Sequence, residues 1–283
     1  MAETFRVIDA HIHIQPFHMM KPDVQDTFWR KKANRAELES FAADPGKLLR
    51  QMDLDGIERV GLINYVSPDV MGFTSDVNAW MMRYASADPS RLLPFGSVHP
   101  KFTNDVGGET DRVIEMGARA LKVHPPHQLF RANAYQQEFP ALHLLYQRAQ
   151  AAGIPVTIHT GTSVFPGARS RLGDPMDVDD VAVDFPNLKI LLAHGGRPLW
   201  MEAAFFVVRR HPNVFLEISG IPPAKLLEYF PRLEEIADKT VWGTDWPSPG
   251  VTSMRQNVDR FLQLPLAEET KRKILYDNAL RVF

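Results

Sequence analysis

The chain carries ten histidines and no cysteine. Six of the histidines fall at or just after the ends of short apolar runs: His11 and His13, His99, His124, His159 and His194. Asp245 takes the corresponding place after the last such run, in Trp242-Gly243-Thr244-Asp245-Trp246-Pro247. From His124 to His159, and again from His159 to His194, is 35 positions. That is about one strand–helix step. Side chains at i and i+2 of a strand share a face, so His11 and His13 can aim two imidazoles at one ion. His159 can bring a third, and Asp245 an anionic oxygen. Three imidazoles and a carboxylate suit a divalent metal, zinc first, with manganese, iron and cobalt as alternatives. Without thiolates, any such metal must be held by His and carboxylates. An open coordination position would hold a water acidified toward neutral pH. His194, in Ala193-His194-Gly195-Gly196, reads as a ligand or as a base that orients this water or polarises the substrate.

These groups need a scaffold that brings strand ends together. Eight runs read as strands: Phe5–Ala10, Arg59–Ile63, Leu92–Val98, Ala118–Val123, Ile154–Ile158, Lys189–Ala193, Val214–Ile218 and Thr240–Gly243. Most are nearly continuous in Val, Ile and Leu, the pattern of parallel strands buried on both faces. Helical patterns lie between them, at Pro45–Asp55, Ser75–Ala87, Asp105–Met116, Phe139–Ala152, Asp177–Asp184, Pro198–Arg210, Pro223–Ala237 and Ser253–Gln263, with a last segment at Ala267–Leu275. Eightfold alternation predicts a closed (β/α)8 TIM barrel, an α/β single domain over residues 1–283. An open doubly wound sheet would usually carry a Gly-rich phosphate turn after its first strand; here that strand is followed by His11-Ile12-His13. In a barrel, the C-terminal strand ends form the catalytic face. The stretch Ile14–Ala43 reads as a long irregular loop, the usual form of a lid or binding loop.

Composition narrows the function classes. Of 283 residues, 45% are hydrophobic and 23% charged, which argues against disorder and coiled coil. Thirty-two basic against 34 acidic residues leave no cationic excess for nucleic acid or an anionic membrane. No apolar stretch reaches the roughly 20 residues of a membrane span, and the N-terminus has no signal-peptide pattern. The expected setting is cytoplasmic. The expected partner is a small-molecule substrate, without nucleic acid or membrane. Phe205 and Phe206 offer a homodimer face or pack inward. Of the other histidines, His99 reads as structural, His124 as substrate contact or structure, and His18, His127, His143 and His211 as surface residues.

Asp9-Ala10-His11-Ile12-His13, His159, His194-Gly195-Gly196, Gly243-Thr244-Asp245-Trp246-Pro247 and the ending Asn278-Ala279-Leu280-Arg281-Val282-Phe283 together resemble the amidohydrolase superfamily. The nearer likeness is to the amidohydrolase-related branch that includes aminocarboxymuconate-semialdehyde decarboxylase. The resemblance implies a (β/α)8 barrel with a divalent metal at its mouth, ligated by His11, His13, His159 and Asp245, and His194 as the catalytic histidine. In binuclear members a lysine on the fourth strand is carbamylated and bridges two metals, and Lys122 has that placement. Lys122-Val123-His124-Pro125 is more similar to the mononuclear branch, which makes Lys122 an ammonium for a substrate carboxylate or carbonyl. His124, Arg169, Arg171 and Trp246 complete the expected substrate contacts. Arg169 and Arg171 could bind a carboxylate bidentately or pair with Asp174, Asp177 or Asp179. Trp246 and Trp29 could wall a ring or pack loops, and Arg197 could reach inward or cap a helix.

Two activities fit. One is a hydrolase in which a metal-activated water, deprotonated with help from His194 or Asp245, attacks a carbonyl, lactone, ester or amide of a small acidic or aromatic substrate. The other is a non-oxidative decarboxylase of a carboxylated aromatic or muconate-type substrate. A metal-free lactonase uses the same mouth. A non-catalytic barrel would have lost site residues, and none is lost.

Overall fold

The computed structural model describes residues 5–30, 32, 34–248 and 250–283. Eight parallel strands run in the order β1 Ile8–Ile12, β2 Arg59–Leu62, β3 Leu92–Gly96, β4 Ala120–Val123, β5 Val156–His159, β6 Ile190–Ala193, β7 Val214–Glu217 and β8 Thr240–Val241. Each pairs with the next in chain order. Backbone bonds from Ala10 N–H to the Trp242 carbonyl (3.0 Å) and from Asp245 N–H to the His11 carbonyl (2.8 Å) close β8 onto β1. The chain is a (β/α)8 TIM barrel.

The strands form because their side chains are buried on both faces; β6, Ile-Leu-Leu-Ala, is wholly buried. The helix Pro45–Asp55 keeps its expected limits for local reasons. The Asp44 carboxylate accepts from Gly46 N–H (2.8 Å), Pro45 opens the first turn and Gly56 ends it at φ +68°. Asp105 caps Val106–Glu115 in the same way, accepting from Gly108 N–H. Phe206 on the helix Met201–Arg210 is exposed, whereas Phe205 is half-buried beside the Arg209 and Arg232 guanidinium groups.

Three segments differ from expectation. Ile14–Ala43 is largely helical, with a 3-10 turn at Phe17–Met19 and helices at Pro22–Trp29 and Arg35–Ala43. Each helix buries only two apolar side chains, Val24 and Phe28 in one and Leu38 and Phe41 in the other. That is too short a stripe to show as a period. Pro223–Ala237 breaks into a helix at Pro223–Tyr229 and a 3-10 segment at Leu233–Lys239. Pro231, between them, can supply no N–H to a continuing helix. The closing segment runs as Glu268–Arg272, a widened turn at Lys273–Asp277, and Asn278–Val282. Its Tyr276, Ala279 and Val282 pack under Ile8, Ala10, Leu191 and Val241 of the barrel. Among the described residues, no helix is long and apolar enough to cross a membrane.

Candidate metal centre and active site

His11 ends the inward row of β1 and His13 follows it. Their Nε2 atoms stand 3.2 Å apart. Asp245 Oδ1 lies 3.0 Å from His13 Nε2 and 3.6 Å from His11 Nε2. These three donor atoms form a compact set, and His11 and Asp245 are buried. His11 Nδ1 meets Glu217 Oε2 at 2.6 Å. With the imidazole neutral, Nδ1–H donates to that carboxylate and the Nε2 lone pair faces the cluster. Burial, first of all, holds His11 well below its usual pKa, with Lys122, His13 and Arg197 acting in the same direction. His13 Nδ1 meets the Gln15 amide at 2.8 Å. With the Gln15 NH2 donating to Nδ1, the His13 Nε2–H donates to Asp245 Oδ1, and a bound cation would take the place of that proton. Two imidazole lone pairs and a carboxylate oxygen at these separations fit a divalent cation in chemistry and in charge.

Asp245 is the group most strongly bound in. Burial opposes its ionisation, but the hydrogen bond from His13 and the nearby His13, His11 and Arg197 more than offset it, holding the carboxyl at about 2. Arg197 reaches inward, with Nη2 3.4 Å from Asp245 Oδ2 and Nε donating to the Gly220 carbonyl at 2.7 Å. Asp245 and His194 both sit in the left-handed region, at φ +68°. For non-glycine residues that conformation costs energy, and it persists where surrounding structure over-determines it.

His194 Nδ1 lies 2.9 Å from the Ser219 carbonyl, to which Nδ1–H donates, so its Nε2 lone pair is free. Burial, and then Arg197 and His159, keep the ring neutral. His159 is brought to the same wall, its ring centroid 4.6 Å from that of His194 and 3.8 Å from that of His124. Its Nε2 lies outside the three-atom cluster, buried and without a hydrogen-bond partner. The structure therefore gathers three of the four expected ligands directly and leaves the fourth as an unpartnered donor one imidazole away.

Two buried carboxylates, absent from the sequence expectations, brace this set. Glu217 accepts from Ser219 N–H at 2.6 Å and from the Ser219 hydroxyl at 3.0 Å, besides His11. Asp9 accepts from Thr244 N–H (2.9 Å), the Thr244 hydroxyl (2.6 Å) and His11 N–H (3.1 Å), tying β1 to the Asp245 loop. Burial pushes both carboxyls up to about 7, against the hydrogen bonds they accept. The one available signal was a charged residue inside an otherwise buried strand, in Ile-Asp-Ala-His-Ile and Val-Phe-Leu-Glu.

A cavity of about 340 Å³ opens over the cluster, lined by His13, Tyr65, His124, His127, His159, His194, Arg197 and Asp245, with Phe28, Phe165 and Tyr229 among its apolar walls. His124 lines it as a stacked ring between His159 and His127. His127 is a correction: it is buried in this wall, not a surface residue. His211 is buried too, paired with Asp179 at 2.7 Å. His99 packs between Phe102 and Phe130.

Four expected substrate contacts lie elsewhere. Lys122 is fully buried and is not part of the cavity lining; its ammonium has no hydrogen-bond partner. Burial lowers its pKa to about 8, while Glu217 and Asp245 act against that shift. Its charge therefore acts on the cluster from below. Arg169 and Arg171 flank the turn Ser170–Gly173 and are exposed, away from the cavity lining. Asp177 is taken by Arg131 at 2.9 Å and Asp179 by Arg210 at 2.6 Å, so their expected local pairing is absent as well. Trp246 is core, packed against Phe41, because the Asp245 backbone turns the next side chain away from the mouth.

Comparison with known proteins adds the lineage. A family model described as amidohydrolase matches residues 8–283. A curated 2-pyrone-4,6-dicarboxylate hydrolase from Comamonas testosteroni is 26% identical over 157 residues, 41% of this chain and 51% of that protein. The chain thus spans about half the length of this relative. An uncharacterized TIM-barrel protein from Bordetella bronchiseptica superposes with a TM-score of 0.76 at 23% identity, covering 98% of each chain. A manganese-bound 5-carboxyvanillate decarboxylase from Novosphingobium aromaticivorans superposes with a TM-score of 0.66 at 16% identity, covering 98% of this chain and 97% of that one. These likenesses show the fold. With the motifs in place along the whole barrel, the chain belongs to the amidohydrolase family.

Proposed function

We propose that this chain is a divalent-metal-dependent hydrolase that opens a lactone or ester of a small, carboxylated ring compound. The observation that carries the reading is the cluster of His11, His13 and Asp245 at the base of a cavity that also presents Arg197. His11, His13 and Asp245 would hold the metal, with His159 the nearest further donor; zinc suits the donor set best, and manganese is the ion of the carboxyvanillate relative. Such an ion would supply Lewis acidity, lowering the pKa of a water and polarising a carbonyl. The chain's own groups account for the rest. Arg197 keeps guanidinium donors free of Asp245, and a planar fork suits a carboxylate. Phe28, Phe165 and Tyr229 offer an apolar wall for the ring. His194 Nε2, neutral and unbonded, can take a proton from the attacking water and return it to the leaving oxygen as the acyl C–O bond breaks. Support for the substrate class comes from the Comamonas testosteroni relative, whose name specifies a pyrone dicarboxylate.

Gly220 is the weak point of this geometry. It sits at φ +64°, and a Cβ there would stand 2.3 Å from Arg197 Nη2 and 2.7 Å from Asp245 Oδ2. Gly220→Ala should displace the guanidinium and lower kcat/KM for a carboxylated substrate by about 10²-fold. An uncharged ester should lose much less in a parallel assay.

The direct test combines metal analysis with two assays. Protein purified without chelators should hold near one zinc or manganese per chain. It should hydrolyse 2-pyrone-4,6-dicarboxylate with uptake of one water, lose that activity to a chelator and regain it on adding back metal. Carbon dioxide released from 5-carboxyvanillate without pyrone opening would replace the hydrolase reading with decarboxylation. Absence of metal even after reconstitution would remove metal dependence and leave the metal-free lactonase.

A further inference from the structure

The cavity wall built from the loops after β2, β4 and β5 contains a closed hydrogen-bond chain that the hydrolytic scheme does not use. Tyr65 OH stands 2.7 Å from His127 Nδ1, and His127 Nε2 stands 2.6 Å from Ser163 Oγ. Ser163 Oγ also accepts from Phe165 N–H at 3.3 Å. Tyr65, His127 and Ser163 all line the cavity. One face of His127 stacks on the His124 ring (3.7 Å between centroids), Phe165 meets it at right angles (5.5 Å), and both ring nitrogens are hydrogen-bonded, which fixes its orientation.

We propose that Ser163, oriented through His127 by Tyr65, is the specificity-determining residue that reads an oxygen substituent of the substrate ring, and that it can do so either as donor or as acceptor. A neutral imidazole carries one N–H and one lone pair, and both of its partners here are hydroxyls. The chain therefore has two directions. In one, Tyr65 O–H donates to Nδ1, Nε2–H donates to Ser163, and the Ser163 proton is free for a carbonyl or ether oxygen. In the other, Nδ1–H donates to Tyr65 and Ser163 donates to Nε2, which leaves a Ser163 lone pair for a substrate hydroxyl. Neither state leaves a buried ring nitrogen unpaired, so the wall adapts to either kind of oxygen without losing a hydrogen bond. Among the described residues this wall carries no cation, which assigns it a neutral oxygen; the carboxylate goes to Arg197, which follows β6.

The proposal rests on the reading that this cavity takes a carboxylated ring, and the experiment separates the two. Dissociation constants are measured by calorimetry for benzoate, 3-hydroxybenzoate and 3-formylbenzoate. Wild type should prefer both oxygen-bearing probes to benzoate by about five- to tenfold, the worth of one hydrogen bond. Ser163→Ala and His127→Phe should bring both ratios to near one, and Ser163→Thr should keep them. The His127 ring 15N signals should show a single protonated nitrogen that differs between the two bound probes. Equal binding of all three, ratios that survive Ser163→Ala, an unchanged His127 tautomer, covalent labelling of Ser163 by a fluorophosphonate, or no binding of any probe at about 10 mM would each overturn the proposal. Arg197→Met should weaken all three probes together. If it does not, the carboxylate reading falls, while the ratios still decide the role of Ser163.

Discussion

Asp245→Asn should yield a folded barrel that retains almost no divalent metal, with kcat/KM lower by a factor on the order of 10³ to 10⁴. The exchange keeps shape and removes charge. Among the described residues it removes the one anion that faces the Nε2 atoms of both His11 and His13, which stand 3.2 Å apart. It also removes the counter-charge of Arg197, 3.4 Å from Oδ2. The carboxyl is ionised at any working pH, held at about 2 against its own burial, so the loss should be equal from pH 5 to pH 9. A change in the protonation of His194 would instead give a pH-dependent loss. Metal per chain, circular dichroism and a pH profile of kcat/KM suffice for the check. Full metal retention in the variant would show that the imidazoles hold the ion without Asp245, and the assignment of the cluster would fail.

Strand ends were the part of this site that a sequence can display. His11 and His13 are legible because a strand's period of two puts both on one face. His159 and His194 are legible because about one barrel step separates each from the histidine before it, and Asp245 because it follows the last strand. The bracing groups are another matter. Glu217 is a single charged letter in a buried strand; Ser219 is its local partner, but His11, 206 positions away, is named only by the closure of the barrel. His127 follows two prolines in the short helical turn Pro125–Gln128, which the sequence does not display, and reads as exposed until Tyr65, 62 positions earlier, covers it. Arg169 and Arg171 mislead in the opposite sense, because the turn Ser170–Gly173 directs them outward while more distant arginines take the neighbouring aspartates. Local chemistry marks the residues that face the mouth. Long-range packing decides which polar side chains stand behind them.

Glu217 gives the second large effect, and here the prediction separates charge from hydrogen bonding. Glu217→Gln should weaken metal binding by about 10- to 100-fold, as the loss of an outer carboxylate does in related sites, and lower activity at limiting metal in proportion. One carboxylate now serves three donors, His11 Nδ1–H, Ser219 N–H and the Ser219 hydroxyl. An amide has one oxygen. Placed toward His11, it turns its NH2 onto Ser219 N–H, across a gap of 2.6 Å in the wild type. Placed toward Ser219, it sets NH2 against His11 Nδ1–H and forces that ring to the other tautomer, which points Nε2–H at the metal cluster. The first orientation costs a donor–donor contact in a fully buried site, and the second costs the Nε2 lone pair that His11 offers a metal. Space offers no escape, because Gly243 already stands where any Cβ would lie 2.5 Å from Glu217 Oε1. The exchange also strands Lys122, a buried ammonium without a hydrogen-bond partner whose charge Glu217 helps to sustain. Removing one member of a buried charged pair is far more destabilising than removing both. Thermal stability should therefore fall in Glu217→Gln and recover in large part in Glu217→Gln with Lys122→Met, whereas metal affinity should stay low in both. Recovery of metal affinity in the double variant would mean that Glu217 acts on the site by neutralising Lys122, and that its bond to His11 contributes little.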